Sequence, residues 1–237
     1  MDTTLNSGCL YVVSTPIGNL GDISDRARSC LADVDIVACE DTRHSGRLLN
    51  HIGIKKRLVS YNDINAERRL GQLIDHLANG NDVALISDAG TPGISDPAYR
   101  LVRAAVNEDF DVISIPGPSA VLAGLVVSGL PLDRFVFEGF LPPKAGARNK
   151  RLEVLNIEPR TMVLYESPHR ILKLLDAVLA ILGNREVSVS RELTKLHEET
   201  VRGPVSDVLD RMNEKKPRGE YTVVIRGVGK KGIDSAK

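Results

Sequence analysis

Small and polar residues follow three strand-like runs of the chain and could hold a ligand. The three clusters span Ser14–Gly21, Ser87–Pro97 and Pro116–Ala120, and each stands directly after a short apolar run. In a parallel sheet all three would lie at the carboxyl ends of strands, where open α/β sheets bind ligands. Small residues let the backbone approach a ligand and present N–H and C=O groups to it. They are also ordinary turn residues, but three clusters at one sheet edge favour a ligand site.

One part of this pattern imitates a dinucleotide-binding fold. Gly18 and Gly21 follow the first predicted strand, and Glu40 follows the second, about where a ribose-binding acid would stand. The complete Gly-x-Gly-x-x-Gly fingerprint is absent, however, and Pro16 occupies the position of the tight turn. The pattern therefore disfavours a nicotinamide cofactor.

The elements that would position these loops alternate between strands and helices. Continuous apolar runs, typical of parallel strands buried on both faces, predict strands at Leu10–Ser14, Val34–Ala38, Arg57–Ser60, Val83–Ser87 and Val112–Ile115. Amphipathic segments predict helices at Asp22–Ala32, Thr42–His51, Ala66–Asn79 and Pro97–Glu108. This order predicts an α/β domain with right-handed crossovers over residues 8–116.

The second half of the chain has a different pattern. It predicts strands at Phe135–Phe140, Thr161–Tyr165, Glu186–Ser190 and Tyr221–Ile225, and helices at Ser119–Ser128, Pro168–Leu182 and Val205–Asn213. We interpret residues 119–228 as a second α/β domain with a mixed sheet in which hairpins are possible. Residues 229–237 are polar, and we expect a disordered tail.

A basic segment lies inside this second domain. Lys144, Arg148, Lys150 and Arg151 fall within the Pro- and Gly-containing stretch Leu141–Arg151, which predicts a mobile loop. Such a loop could clamp phosphate groups. The chain as a whole is neutral, with 31 Lys and Arg against 31 Asp and Glu, so any affinity for a polyanion must be local.

Composition limits the class of protein. Hydrophobic residues make up 42% and charged residues 26%, which excludes a disordered chain, and the 4% of aromatic residues argues against a base-stacking platform. Three cysteines without Cys-x-x-Cys spacing, and His44 and His51 without a companion ligand, predict neither disulfides nor a metal cofactor. No run approaches the length of a membrane span and no signal peptide is recognisable, so we expect a cytoplasmic protein.

Seven segments in order resemble the tetrapyrrole-methylase-like, class III group of S-adenosylmethionine (SAM) enzymes. They are Thr15–Ser24, Glu40–His44, Ser87–Pro97, Pro116–Ala120, Phe137–Pro142, Tyr165–Arg170 and Arg191–Lys195. The resemblance covers about Leu10 to Gly227. The first loop reads Ser14-Thr-Pro-Ile17 rather than the glycine-rich form typical of tetrapyrrole methylases, which favours the RNA-modifying branch of the group.

The resemblance implies two α/β domains with SAM held in the cleft between them, and a homodimer. It implies methylation of the ribose 2′-hydroxyl of a cytidine in the decoding region of 16S rRNA, within the small ribosomal subunit. The cofactor contacts that it transfers to this chain are Pro16, Ala89, Gly90, Thr91, Ile94, Ser95, Ser119, Ala120, Glu166 and Leu193, together with Gly219 and Glu220.

No catalytic residue can be singled out. Methyl transfer to a ribose hydroxyl would profit from a general base or a neighbouring cation. The residues of suitable type within the matching segments are Glu40, Asp41, Asp88, His169, Glu192 and Lys195. Structural roles explain them equally well: an Asx turn for Asp88, an ion pair of Glu192 with Arg191 or Arg170, a phosphate contact for Lys195.

Two other functions stay open at this point. The first is methylation of a small molecule such as a tetrapyrrole, and the second is a catalytically silent module that binds RNA or a nucleotide. Methyl transfer to purified substrates would separate the first from rRNA methylation, and failure to bind SAM would support the second.

Overall fold

The computed structural model describes residues 7–96 and 98–229, and the chain divides into two compact units, Met1–Ser119 and Ala120–Lys237. Each unit contains a five-stranded sheet with helices packed against it, so the predicted α/β fold class is confirmed. The predicted tail, 229–237, lies outside the described residues except for Gly229.

The first unit is a doubly wound domain. Its strands are β1 (Leu10–Val13), β2 (Ile36–Cys39), β3 (Arg57–Ser60), β4 (Val83–Ile86) and β5 (Val112–Ile115). Its helices are α1 (Asp25–Asp33), α2 (Thr42–His51), α3 (Ala66–Ala78) and α4 (Ala98–Asn107), with a short 3-10 helix at Leu20–Asp22. The strands are all parallel in the order β3-β2-β4-β1-β5.

Burial on both faces explains the continuous apolar strands. Both β2 and β4 are buried along their whole length, and alternate residues enter two different core clusters. On one face the sheet packs with Leu73 of α3 and Leu101 of α4. On the other it packs with Leu31 of α1 and Leu48 of α2. This is the layer arrangement that the strand pattern predicted.

Caps set the starts of the first two helices. The Ser24 side chain accepts a hydrogen bond from Ala27 N, and α1 therefore begins at Asp25, three residues later than predicted. The Asp41 side chain accepts one from Arg43 N and starts α2 at the predicted residue, Thr42. Both side chains satisfy backbone N–H groups that the first helical turn leaves unpaired.

The second unit has a mixed sheet. Its strands are β6 (Phe135–Phe140), β7 (Thr161–Glu166), β8 (Glu186–Arg191), β9 (Glu199–Pro204) and β10 (Tyr221–Ile225), in the order β6-β7-β10-β8-β9. Its helices are α5 (Ala120–Val126), α6 (Ala145–Leu155), α7 (Ile171–Leu182) and α8 (Val205–Asn213). Among the described strands of this sheet, only β6 and β7 pair in parallel, and β8 and β9 form an antiparallel pair joined by a short connection.

Strand β9 was not predicted. It forms the edge of the sheet and is only partly buried, so Glu199–Pro204 carries little of the apolar signal that marks an inner strand. Gly203 and Pro204 at its end further weaken the pattern.

The prediction of a mobile basic loop was wrong. Residues Ala145–Leu155 form helix α6, which begins directly after Pro142-Pro143-Lys144. Arg148, Leu152 and Leu155 recur at helical spacing and form its buried face. Gly146 suggested a loop, but a single glycine near a helix start costs only about 1 kcal/mol.

This helix also removes two cations from the predicted phosphate clamp. Arg148 is only 7% exposed, and Arg151 makes a bidentate pair with Glu138 at 2.8 Å for both Nε–Oε2 and Nη2–Oε1. Lys144 and Lys150 are exposed. Among the described residues no helix is long and apolar enough to cross a membrane.

Helix α5 contacts β10 at Gly124. A Cβ atom at this position would lie 2.6 Å from Cγ2 and 3.0 Å from Cβ of Thr222, a buried residue on β10. The absence of a side chain therefore sets how closely the helix approaches the sheet. Gly71 in α3 is different, because a Cβ atom there meets nothing within 4 Å.

We predict opposite effects for the same substitution at these two glycines. Gly124→Ala should lower the free energy of unfolding by about 1–3 kcal/mol, because the methyl group overpacks against a stiff Thr side chain. Gly71→Ala should raise it by about 0.5–1 kcal/mol through helix propensity alone. Urea unfolding of both variants measures the two changes. A stabilised Gly124→Ala would contradict the close approach of α5.

Candidate functional site

In the first unit, the loops after β1 and β4 are joined through their backbones. Thr15 N donates to Gly90 O at 2.9 Å and Gly90 N donates to Thr15 O at 3.1 Å. The Thr15 hydroxyl adds a bond of 3.2 Å to Ser87 O. Two of the three clusters noted in the sequence thus form one structure at the carboxyl edge of the sheet.

A chain of hydroxyl contacts adds the third cluster. Oγ of Ser14 lies 2.9 Å from Oγ1 of Thr91, and Thr91 Oγ1 donates to Pro118 O at 3.1 Å. The three residues follow β1, β4 and β5 respectively. A single threonine hydroxyl therefore links all three loops. Sequence reasoning listed Thr91 as a cofactor contact but missed this role, because Ser14 and Pro118 lie 77 and 27 residues away from it.

Two glycines make the close approach of these loops possible. A Cβ atom on Gly117 would lie 2.9 Å from Cβ of Ser14, closer than two such carbons can stand. Gly90 has φ +85°, and a Cβ atom there would lie 3.3 Å from Ile17 Cγ2. Both positions require glycine for reasons of space or of backbone conformation.

The loop after β4 turns back on itself before α4. Both carboxylate oxygens of Asp96 accept from Gly93 N, at 2.7 and 2.8 Å, and Oδ1 accepts from Ala98 N at the start of α4. Ser95 takes the left-handed conformation, with φ +72°. Such backbone strain is common where a loop is held for function.

The predicted cofactor residues of the first unit differ in accessibility. Ala89, Ile94 and Ser95 are exposed, so a ligand can reach their side chains or backbone. Pro16 and Gly90 are buried and shape the loops. Thr91 and Ser119 are half-buried.

Three acidic residues form a corner at the same edge, after β2 and β4. Glu40 Oε1 accepts from Asp88 N at 3.3 Å, and Asp88 Oδ1 accepts from Asp41 N at 3.1 Å. They line a cavity of about 340 Å³.

Burial, reinforced by the nearby carboxylates, raises the pKa of Glu40. Hydrogen bonds from Arg43 hold the pKa of Asp41 well below its usual range. Glu40 is therefore a stronger proton acceptor than Asp41.

In the second unit, Ala120 and Leu193 both lie near the contact of Gly124 with Thr222. Ala120 begins α5 and its carbonyl accepts from the Thr222 hydroxyl at 3.4 Å. Leu193 is buried, and its Cδ1 lies 3.7 Å from where a Cβ of Gly124 would stand. The structure thus brings two predicted cofactor residues, 73 positions apart in sequence, to one helix.

Next to Leu193, Lys195 bridges two carboxylates. Its Nζ lies 2.9 Å from Glu192 Oε1 and 2.9 Å from Glu220 Oε2. Burial alone would lower the pKa of Lys195, but these two partners raise it, and the hydrogen bond from Lys195 lowers the pKa of Glu192. The partner of Glu192 is thus Lys195, and the expectation of Arg191 or Arg170 was wrong.

The backbone around this ion pair is strained. Glu192 and Thr194 have φ values of +48° and +68°. Gly219 also has a positive φ, and a Cβ atom there would lie 2.4 Å from Glu192 Cγ. Gly219 and Glu220, two further predicted cofactor residues, therefore hold the position of Glu192 in this structure.

Glu166 is buried and paired. Its side chain is 1% exposed, and its Oε1 accepts from Arg170 Nε at 2.8 Å and from Ser167 N at 2.8 Å. Its role in the structure is to fix the turn between β7 and α7. Residues 168–170 form a turn rather than a helix, so the i, i+4 spacing of this pair is not a helical signal in the sequence. His169, between them, is exposed.

Metal-ligating side chains do not cluster in the described part of the chain. Within residues 7–96 and 98–229, no group of three or more His, Cys, Asp or Glu side chains is placed to hold a metal ion. Cys9, Cys30 and Cys39 are free thiols, and burial raises the pKa of each.

The sequence and the fold of this chain are similar to those of known methyltransferases. A family model described as Tetrapyrrole (Corrin/Porphyrin) Methylases matches residues 9–209. A cobalt precorrin-4 methyltransferase, solved by X-ray diffraction, has the same fold, with a TM-score of 0.67 over 92% of this chain and 94% of that chain at 19% identity. The chain belongs to the tetrapyrrole methylase family, a family of methyltransferases.

Two relatives place the chain more finely within that family. It is 48% identical over 93% of its length to a Synechocystis protein named Ribosomal RNA small subunit methyltransferase I, of which it covers 79%. It is 47% identical over 93% of its length to the Thermotoga maritima protein of the same name, of which it covers 99%. The predicted resemblance to the RNA-modifying branch is therefore confirmed.

We predict that the buried Glu166 carboxylate makes Arg170 necessary for stability. Arg170→Met should lower the free energy of unfolding by about 3–5 kcal/mol, because it leaves a buried charge without its partner. The double variant Glu166→Met/Arg170→Met removes both charges and should recover most of that loss. Denaturant unfolding of both variants tests this. If Arg170→Met unfolds like the wild type, the ion pair does not stabilise the β7–α7 turn.

Proposed function

We propose that this protein transfers a methyl group from SAM to the ribose 2′-hydroxyl of a cytidine in the decoding region of 16S rRNA. The observation that carries the proposal is the identity of 44–49% to relatives named Ribosomal RNA small subunit methyltransferase I, over more than nine-tenths of this chain. The atom and the nucleotide rest on the resemblance of the seven segments, as do the homodimer and the assembled small subunit as partner. The cytoplasmic location rests on the sequence pattern alone.

The loops of the first unit fit SAM in their chemistry. They offer hydroxyl and backbone groups from Thr91, Ala89 and Ser95, and Gly90 and Gly117 leave no side chain where the loops converge. The carboxylates at this edge suit a ligand that carries a positive sulfonium, whereas they would repel a pyrophosphate. This charge is a second argument against a nicotinamide dinucleotide.

The resemblance assigns cofactor contacts to each unit. In the first unit, Thr91 would fix the loop after β4, and Ala89, Ile94 and Ser95 of that loop would contact the ligand. In the second unit, the contacts would come from Ala120 of α5 and from Leu193 in the loop after β8. When bound, SAM supplies a methyl group on an activated sulfonium. The work left to the protein is to orient the two reactants, which is a large part of the acceleration in such a displacement.

The proton of the ribose hydroxyl needs an acceptor, and the candidates differ in suitability. Of the three candidate carboxylates with a shifted pKa, Glu40, whose pKa is raised, is a better base than Asp41 and Glu192, whose pKa values are lowered. Lys195 is held protonated between Glu192 and Glu220, so it can stabilise negative charge but cannot accept a proton. We assign no catalytic base.

Methylation of a tetrapyrrole is the second candidate function. It is favoured by the family match and by the shared fold of the cobalt precorrin-4 methyltransferase. At 19% identity this likeness concerns the fold, and one scaffold can serve different substrates.

We predict that the Thr91 hydroxyl is required for SAM binding. Thr91→Val keeps the shape of the side chain but removes the bonds to Ser14 and Pro118, and SAM affinity should fall at least about tenfold, ~1.4 kcal/mol. Thr91→Ser keeps the hydroxyl and should bind within about threefold of the wild type. Calorimetric titration with SAM compares the three proteins. Equal affinity of a folded Thr91→Val would remove this loop junction from the site.

We predict methyl transfer to 16S rRNA and none to a tetrapyrrole. Wild-type protein with labelled SAM is offered naked 16S rRNA, small subunits from a strain that lacks the methylation, and uroporphyrinogen, and the modified nucleotide is mapped by mass spectrometry. Label should appear at one cytidine 2′-oxygen and should persist after chelation of metal, with the RNA fold checked separately. Label only in the tetrapyrrole would establish the second function, and failure to bind SAM would leave a silent binding module.

A further inference from the structure

The second unit contains a groove with a basic rim. It encloses about 490 Å³ between strands β8 and β9 on one side and the end of α8 with its following loop on the other. Val189, Val201 and Tyr221 line it, and the register pairs Val189 with Val201 and Arg191 with Tyr221. The groove lies beside β9, the edge strand of the sheet.

The charges around this groove are unequal. Its lining includes the five cations Arg191, Arg202, Arg211, Lys215 and Lys216, but only the two carboxylates Glu199 and Glu214. Glu199 forms an ion pair with Arg191, in which Oε2 of Glu199 lies 2.9 Å from Nε of Arg191. Four cations therefore face a single remaining carboxylate, in a chain whose basic and acidic residues are equal in number.

These cations are available to a partner. Arg211, Lys215 and Lys216 are exposed, and none of them forms an ion pair within residues 7–96 and 98–229. Arg202 donates from Nε to the carbonyl of Val127 at 2.7 Å, which fixes the side chain without neutralising it. Like charges gathered on one rim favour an anionic ligand.

The rim is held in place by the sheet. The backbone N of Arg218 donates to the hydroxyl of Tyr221 at 3.2 Å, which ties the loop after α8 to β10. Pro217 restricts the same loop. The cations thus come from three fixed elements: β9, the last turn of α8 and the loop.

We propose that this basic groove binds the phosphodiester backbone of the RNA substrate. The inference rests on the proposed function, since RNA is the substrate of that function, and it names the surface that holds it. A single small anion would require donors that converge on one buried point, whereas these cations are exposed and spread along an open rim. Such an arrangement suits a polyanion, whose counterions are released on contact.

The test compares two triple variants with the same change in net charge. The groove variant is Arg211→Ala/Lys215→Ala/Lys216→Ala. The control variant is Lys55→Ala/Arg68→Ala/Arg103→Ala, three exposed cations of the first unit that form no ion pair with a described residue. Binding of a labelled 16S rRNA fragment is measured at four salt concentrations, with SAM affinity and thermal unfolding recorded for each protein.

We expect the groove variant to bind RNA at least about tenfold more weakly at low salt. The slope of log K against log salt should fall by about 2, roughly 0.7 for each of three lost phosphate contacts. The KM for RNA should rise, while kcat at saturating RNA and the affinity for SAM stay at the wild-type values. The control variant should retain the wild-type slope.

The possible negative results distinguish a failure of the groove proposal from a failure of the proposed function. If wild-type protein methylates RNA and the groove variant keeps both its salt slope and its KM, the groove proposal is overturned and the proposed function stands. The groove proposal is also overturned if the variant binds naked rRNA normally and loses activity only on assembled subunits, since the partner is then a ribosomal protein. If the wild type neither binds nor methylates RNA, both proposals fall.

Discussion

The pairing of β1 with β4 on one side and β5 on the other is the constraint on which the first unit depends. The register pairs Val12 with Leu85 and Val13 with Ile115, so the three strands end almost level. The loops that follow these strands are therefore neighbours. Thr15 can pair with Gly90, and the Thr91 hydroxyl can contact Ser14 and Pro118, over short distances. In a sheet order that separated β1 from β4, the same two loops would lie too far apart to form these hydrogen bonds.

Close approach limits the side chains that this arrangement tolerates. Gly117 lies against Ser14, and Gly124 in the second unit lies against Thr222, at distances that exclude a methyl group. Gly219 has the same relation to Glu192. In each case glycine places a loop or a helix against a hydroxyl or carboxyl side chain. The residues predicted to bind cofactor are held by these contacts as much as by the strands.

The charged residues are separated into an acidic region and a basic region, although the whole chain is neutral. The chain has no net charge, yet the edge of the first sheet is acidic at Glu40, Asp41 and Asp88, while the groove beside β9 is basic. An acidic edge suits a cationic methyl donor and a basic rim suits a polyanionic acceptor. Net charge alone would have argued for neither ligand.

The sequence by itself determined the class of fold and the family. Thr42–His51, Phe135–Phe140 and Tyr221–Ile225 were predicted to the residue, because local periodicity and capping fix such elements. Tertiary structure decided the partners of the charged side chains. Lys195 bridges Glu192 and Glu220 only because β8 and β10 are neighbours, and Arg148 is buried only because residues 145–155 pack as a helix. These contacts depend on sheet register and on packing between distant segments, which local pattern does not encode.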